Sequence, residues 1–153
     1  MRISNFEQTG FDQIVQWINT IGFEQLEEHE CREALRIANI FFVVEGISRL
    51  ESQLLCELKA SYIQQSQRYV TMGNDAYILP KLSAEDELLA QQLTEKAFQL
   101  YSKMSQLKDG EFKGRPKLEH YLHGIPIEDA RYILPLSAKT NICVSMSGDK
   151  LYD

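Results

Sequence analysis

The sequence predicts an α+β fold, with helices at both ends of a small sheet. Ile142, Val144 and Met146 alternate with Cys143, Ser145 and Ser147, the period-two pattern of a strand with one buried face. The run IFFVV, Ile40 to Val44, is short, β-branched and aromatic, and Glu45-Gly46 bounds it, which reads as a second buried strand. Between the two, Ser83 followed by Glu85 and Asp86 starts a long helix in which Leu89, Leu93, Ala97, Leu100, Met104 and Leu107 form one apolar stripe. The stripe is read as core, although an oligomer interface needs the same pattern.

In chain order, Phe11, Ile14, Val15, Ile18 and Ile21 recur at helical spacing, and Gly22 is a stop signal. Trp17 falls off that stripe and suits either a subunit contact or a partly exposed position. Residues 23–37 continue as a second helix, acidic at first. After the IFFVV strand, Ser48 with Glu51 makes a capping-box pattern, and Ile47 is placed to staple the first turn. Leu50, Leu54 and Leu58 then predict a buried stripe on that helix, with Gln53 beside it and Cys56 and Glu57 facing other ways. A strand is expected near Tyr69, followed by a turn at Gly73-Asn74-Asp75 and an extended segment ending at Pro80. Beyond the long helix, residues 108–123 read as a loop and a short helix started by Pro116. His120 and His123 lie three apart there, but without a third ligand they make a surface pair rather than a metal site, so no metal is expected. Pro126 at a first helical position, with Glu128 and Asp129 in the first turn, starts a short helix that must stop before Pro135, and Arg131 projects from it.

At 153 residues and 44% hydrophobic, the chain suits a single domain spanning 1–153 with a core of its own. A net charge of −6 and a pI near 5.1 argue against nucleic-acid or anionic-membrane partners, which reward clustered Lys and Arg. Cys31, Cys56 and Cys143 are odd in number, widely spaced and without a CxxC, which fits reduced intracellular thiols. MRISNFEQTG has no basic head followed by an apolar core, and IFFVV is too short to span a bilayer. The expectation is a cytoplasmic protein with no membrane segment.

One run concentrates polar chemistry. SYIQQSQRYV, Ser61 to Val70, places two serines, three glutamines, an arginine and two tyrosines in ten residues. Ser66 and Arg68 bracket Gln67, so a bend there can aim a hydroxyl, a guanidinium and backbone N–H groups at one anion, with phosphate the usual guest. The plainer reading is a polar surface turn before a strand. No His or Lys base lies nearby, so Ser66 suits a ligand role better than that of an activated nucleophile.

Three blocks of the sequence resemble the flavin-dependent thymidylate synthases. ASYIQQSQRYV is similar to that family's serine, aromatic, then Q-x-S-x-R-Y; EGISRLESQ is similar to its G-[IV]-S-R…Q approach; and GIPIEDARYILPLSAKTNICVSMS is similar to its G-x-x-x-E-x-A-R-x-x-L-P followed by a T-N strand. The likeness runs roughly from Gly46 to Met146. It implies a mainly antiparallel sheet and, for the activity, reductive C5-methylation of dUMP to dTMP with methylenetetrahydrofolate, FAD and NADPH. Active sites built between the subunits of a homotetramer are also implied. Carried over position by position, Gln53, Gln64, Gln65, Ser66, Gln67, Arg68 and Arg131 would bind the nucleotide. For the flavin, His29-Glu30-Cys31 can be laid on the family's His-x-Ser/Thr, giving His29 and Cys31 as FAD contacts; Glu28-His29 can instead be laid on its Glu-His pair.

The chain also departs from the pattern. Where the family carries Arg-His-Arg between Gln53 and Ser61, this chain has Cys56, Glu57 and Leu58. Glu57 reverses the sign of the local field: two like charges about 4 Å apart repel by roughly 4 kcal/mol at an effective dielectric near 20. Ile63 stands where a small or polar residue is usual, and residues 108–123 look like an insertion. Ser147 and Asp149 replace an Asn and an Arg, and the expectation is a domain shortened at the C-terminus. Two functions are therefore expected in competition: a working relative of these synthases, or a non-catalytic member that binds a pyrimidine nucleotide or pairs with a complete paralogue.

Overall fold

The computed structural model describes residues 1–21 and 27–152. The chain is α+β and divides into two compact units, one of Met1–Ile47, Glu51–Gln64 and Asn141–Asp153, the other of Ser48–Leu50 and Gln65–Thr140.

The first unit is built on four strands, Arg2–Thr9 (β1), Asn39–Ser48 (β2), Ser61–Gln64 (β3) and Lys139–Ser147 (β4), in the order β1-β2-β4-β3. β1 pairs antiparallel with β2, and β3 antiparallel with β4. The alternation expected of β4 is the one observed: Ile142, Val144 and Met146 are buried and pack with Phe42, Val44 and Ile47 of β2. β1 shows no strand pattern in the sequence. Ile3 and Phe6 are its only apolar residues and both are exposed, so backbone pairing rather than burial holds it. Its register slips between Ser4 and Glu7, where Asn5 takes φ 50°, a left-handed conformation that Asn tolerates better than most residues.

Helix α1, Phe11–Ile21, matches the expected span; it buries Ile14 and leaves Trp17 60% exposed. The stop signal Gly22 lies outside the described residues. Helix α2, Glu28–Leu35, is shorter than the stretch 23–37 read as helical, whose residues 23–26 also lie outside the described ones.

Helix α3, Arg49–Leu55, starts directly after Ser48, but its expected leucine stripe is corrected by the structure. Leu50, Leu54 and Leu58 are all about half exposed, and the residue α3 buries is Ser52. The helix is also shorter than the stripe requires, and its end is tied to β3. The Tyr62 hydroxyl is shared between the carbonyls of Leu55, at 2.7 Å, and Leu58, at 2.9 Å, and joins the N–H groups of Leu58 and Ala60 in satisfying the end of a two-turn helix. Leu58 falls beyond that end and cannot extend a helical stripe.

The last helix of this unit, Gly148–Tyr152 (α6), packs on α2. The Gly148 N–H donates to the Ala38 carbonyl at 2.9 Å, and a Cβ on Gly148 would stand 2.9 Å from the Leu35 carbonyl oxygen. Asp149 is buried. It accepts from the Ser147 hydroxyl and faces Lys150 Nζ at 3.5 Å and Arg36 Nε at 3.6 Å.

The second unit is organised by the long helix α4, Ala84–Met104. It begins as expected, with Ser83 Oγ accepting the Asp86 N–H at 3.2 Å. Its buried face is a correction. Leu89, Leu93 and Leu100 are 43–59% exposed, whereas Thr94, Phe98 and Tyr101 are buried. Phe98 and Tyr101 pack with Met72, Tyr121, Ile127, Ala130, Leu134 and Ala138, so the unit closes on the helix face carrying the two aromatic rings. The leucine stripe joins that core only at its far end, through Met104 and Leu107. The remaining elements are a 3-10 turn at Leu118–His120, a short helix Ile127–Ala130 (α5) capped by Pro126, and a second 3-10 turn at Arg131–Ile133 that ends before Pro135. Among the described residues no helix is long and apolar enough to cross a membrane.

Candidate functional site

The polar run folds as a strand followed by a turn. Ser61–Gln64 is β3, paired through Tyr62 to Val144, and the strand expected near Tyr69 is instead a turn over Gln67–Tyr69. The change follows from the serine. Ser66 Oγ accepts the Arg68 N–H at 3.1 Å, and the Ser66 carbonyl accepts from the N–H groups of Tyr69, at 3.4 Å, and Val70, at 3.2 Å. A serine that bonds the backbone two residues on is a turn former, and it bends the chain before Tyr69 can extend. The hydroxyl hydrogen is left to donate elsewhere. Gln67 is buried, and its Nε2 has no hydrogen-bond partner among the described residues. Arg68 is exposed.

Around that turn the second unit forms a cavity of ≈ 150 Å³, lined by Arg68, Tyr69, Arg115, Tyr121, Ile127 and Glu128 among others. The Arg115 guanidinium lies over the Tyr69 ring, 5.0 Å from its centroid, and donates to the Glu128 carboxylate. That hydrogen bond is the main reason the Glu128 carboxyl sits below its ordinary range. Partial burial opposes it, and the charges of Arg115 and Arg68 add to it. Arg131 Nε donates to the Glu128 carbonyl at 3.0 Å. Glu128 is thus the acid of this cavity: Arg115 donates to its carboxylate and Arg68 lines the same space, whereas Arg131, three residues on, bonds only the Glu128 backbone and is not among the lining residues. Such a set, two guanidiniums at a small cavity with one carboxylate between them, suits an oxyanion.

Among the residues assigned from the sequence, Gln65, Ser66, Gln67, Arg68 and Arg131 belong to this second unit, and Gln53 and Gln64 to the first. Gln53 is exposed on α3. Gln64 Nε2 donates to the buried Ser52 Oγ at 2.8 Å, so part of its capacity holds β3 against α3. His29 is exposed on α2; Cys31 lies on the same helix, its side chain outside the described residues. Cys56 and Glu57 are exposed just past α3. Ser147 and Asp149 bond each other and anchor α6. His120 Nδ1 accepts the Lys117 N–H at 2.8 Å and its ring packs on Phe112. Two members of the cavity were not legible beforehand as site residues. Arg115 sits in the segment read as an insertion, and Glu128 was read only as a first-turn acid although it stands at the glutamate of the block similar to G-x-x-x-E-x-A-R; for Arg115 the one local signal was its place between Gly114 and Pro116.

A family model described as "Thymidylate synthase complementing protein" matches residues 12–153. The chain is 35% identical over 138 residues to the flavin-dependent thymidylate synthase of Geobacter sulfurreducens, covering 88% of this chain and 50% of that protein. To the flavin-dependent thymidylate synthase of Sulfolobus acidocaldarius it is 33% identical over 147 residues, covering 93% and 48%. The chain therefore spans about half the length of the curated relatives it matches. Among solved structures it resembles thymidylate synthase X from Helicobacter pylori with FAD and dUMP, at a TM-score of 0.63 and 18% identity, covering 99% of this chain and 80% of that one. It also resembles a UMP/dUMP methylase from Streptomyces cacaoi bound with 5-Br UMP, at 0.62 and 16%, covering 98% and 74%. At those identities the two structures speak to the fold.

Proposed function

Because the chain belongs to the thymidylate synthase complementing protein family, we propose that it is a flavin-dependent thymidylate synthase-like protein whose second unit holds the phosphate of a pyrimidine nucleoside monophosphate. The family match over residues 12–153 carries this reading. It is supported by the cavity of the second unit, where Arg68, Arg115 and Glu128, from distant parts of the sequence, line one small space. Arg68 would supply a planar fork for the phosphate and Ser66 its remaining hydroxyl hydrogen, while Arg131, steadied through Nε, keeps its terminal N–H groups for the ligand.

The proposed reaction is the reductive C5-methylation of dUMP to dTMP, with methylenetetrahydrofolate as carbon donor, FAD as hydride carrier and NADPH as reductant. The residues at the flavin positions fit FAD poorly. A diphosphate calls for cations, and exposed Cys56 and Glu57 offer a thiol and a negative charge where Arg-His-Arg would stand. Flavin contacts in this chain would come from other residues, or from another subunit of a homotetramer or of a pair with a complete paralogue. A cytoplasmic location goes with the same reading.

Two measurements on the purified protein test it. FAD absorbance, with release on denaturation, supports the synthase; a colourless protein that cannot be loaded with FAD leaves only the nucleotide-binding role. Addition of dUMP should raise the melting temperature, and Arg68→Ala should abolish the shift. If dUMP moves neither protein, the nucleotide site is refuted.

A further inference from the structure

We propose that Arg115 is a phosphate-binding residue and that the Glu128 carboxylate is its exchangeable counter-ion, displaced when an incoming dianion takes its place. The inference deepens the nucleotide reading above and rests on it only for the identity of the ligand; the anion site itself is argued from the cavity.

Arg115 is held in place without being used up. Its guanidinium is fixed by the Tyr69 ring on one side and by Glu128 on the other, while its side chain remains 60% exposed. A guanidinium presents its N–H donors as a planar fork that fits a phosphate as well as a carboxylate, so the face now turned to Glu128 can be taken over by an incoming oxyanion. Arg68, lining the same cavity, has no hydrogen-bond partner for its guanidinium among the described residues. At ≈ 150 Å³ the cavity holds the equivalent of about five waters at roughly 30 Å³ each, which accommodates a tetrahedral oxyanion.

The charge balance explains the role of Glu128. Arg68 and Arg115 together bring two positive charges to the cavity and Glu128 removes one, which leaves a site that is cationic but already partly neutralised. A phosphate monoester carries about −1.5 to −2 at neutral pH, so it competes with the carboxylate for the same donors rather than adding to it. Ligand binding and the Arg115–Glu128 pair then exclude one another. Glu128 keeps the arginines oriented in the free protein and opposes the ligand in the bound one.

The test is calorimetric titration of the full chain with inorganic phosphate, dUMP and deoxyuridine. Arg115→Ala should weaken phosphate and dUMP about 10- to 100-fold and leave deoxyuridine unchanged. Arg115→Lys should restore only part of that loss, because an ammonium makes no planar fork. Glu128→Gln, which keeps the shape and removes the charge, should tighten both anions at least threefold and steepen the salt dependence of binding. Unchanged anion affinity in both Arg115→Ala and Glu128→Gln overturns the inference even if Arg68→Ala abolishes dUMP binding, in which case the nucleotide reading survives alone. Weaker anion binding in Glu128→Gln overturns the counter-ion role. Phosphate binding that depends on Arg115 in a protein indifferent to dUMP supports the anion site and removes the nucleotide reading. A wild-type protein that binds neither anion removes both.

Discussion

Replacing Phe98 by alanine tests which face of α4 is the core. Phe98 is fully buried and its ring lies 5.9 Å from that of Tyr77. Losing the ring removes roughly 2–3 kcal/mol of burial free energy. A void on the order of 80 Å³ adds about 2 kcal/mol at ~24 cal/mol per Å³. The expected loss is therefore about 4–5 kcal/mol, equivalent to roughly 10–15 °C in Tm for a chain of this length. Leu93→Ala, one turn away on the same helix but on the exposed face, should cost no more than about 0.5 kcal/mol. Denaturant unfolding followed by far-UV circular dichroism, repeated over a range of protein concentrations, separates the two. The assignment of faces is refuted if Leu93→Ala costs as much as Phe98→Ala at every concentration. A cost at Leu93 that appears only at high concentration would instead reveal an interface on the leucine stripe.

Tyr62→Phe removes the side-chain proton shared by the carbonyls of Leu55 and Leu58, which also accept the Leu58 and Ala60 N–H groups; it should cost about 1 kcal/mol by the same unfolding assay, and no change would deny the hydroxyl its role in ending α3. Gly148→Ala forces a Cβ to 2.9 Å from the Leu35 carbonyl and should destabilise by about 1–3 kcal/mol, read as a fall in Tm; a neutral result means that α6 can move away from α2 without cost. Asp149 predicts a pH effect. Its carboxyl is lowered from 3.8, first by the Ser147 hydroxyl and then by Lys150 and Arg36. Because the folded pKa is depressed, the stabilisation is present above the ordinary value and is lost as pH falls through the folded one. The Tm of the wild-type protein should therefore fall more steeply than that of Asp149→Asn once the pH drops below about 4; parallel curves would refute this.

Legibility in the sequence followed how local the cause was. β4 could be read because its alternation is the burial pattern itself, and the start of α4 because Ser83 caps it within three residues. The leucine ladders of α3 and α4 misled for a shared reason. Helical spacing shows that a face is apolar but not whether anything packs on it, and the aromatic residues Phe98 and Tyr101 claimed the core of the second unit. β1 was hidden because its stability comes from backbone pairing with β2, which leaves no trace in side-chain polarity. Within the site, the run around Ser66 and Arg68 stood out by density of polar groups. Arg115 did not, since it looks ordinary until the fold sets it beside Glu128, and Glu128, though it stands at the glutamate of a family block, was given no role until that pairing. Family resemblance carried Arg131, which no spacing rule connects to Arg68.

The slip in β1 matters beyond its own geometry. Of the two outer strands, β3 is only four residues long, and β1 carries a kink at Asn5 with Arg2 and Glu7 along its length. A newcomer chain seeking to add hydrogen bonds to either border would meet a ladder too brief on one side and interrupted on the other. Copies of this protein should thus resist templated growth into fibrils, and whatever association they undergo must be written in side chains.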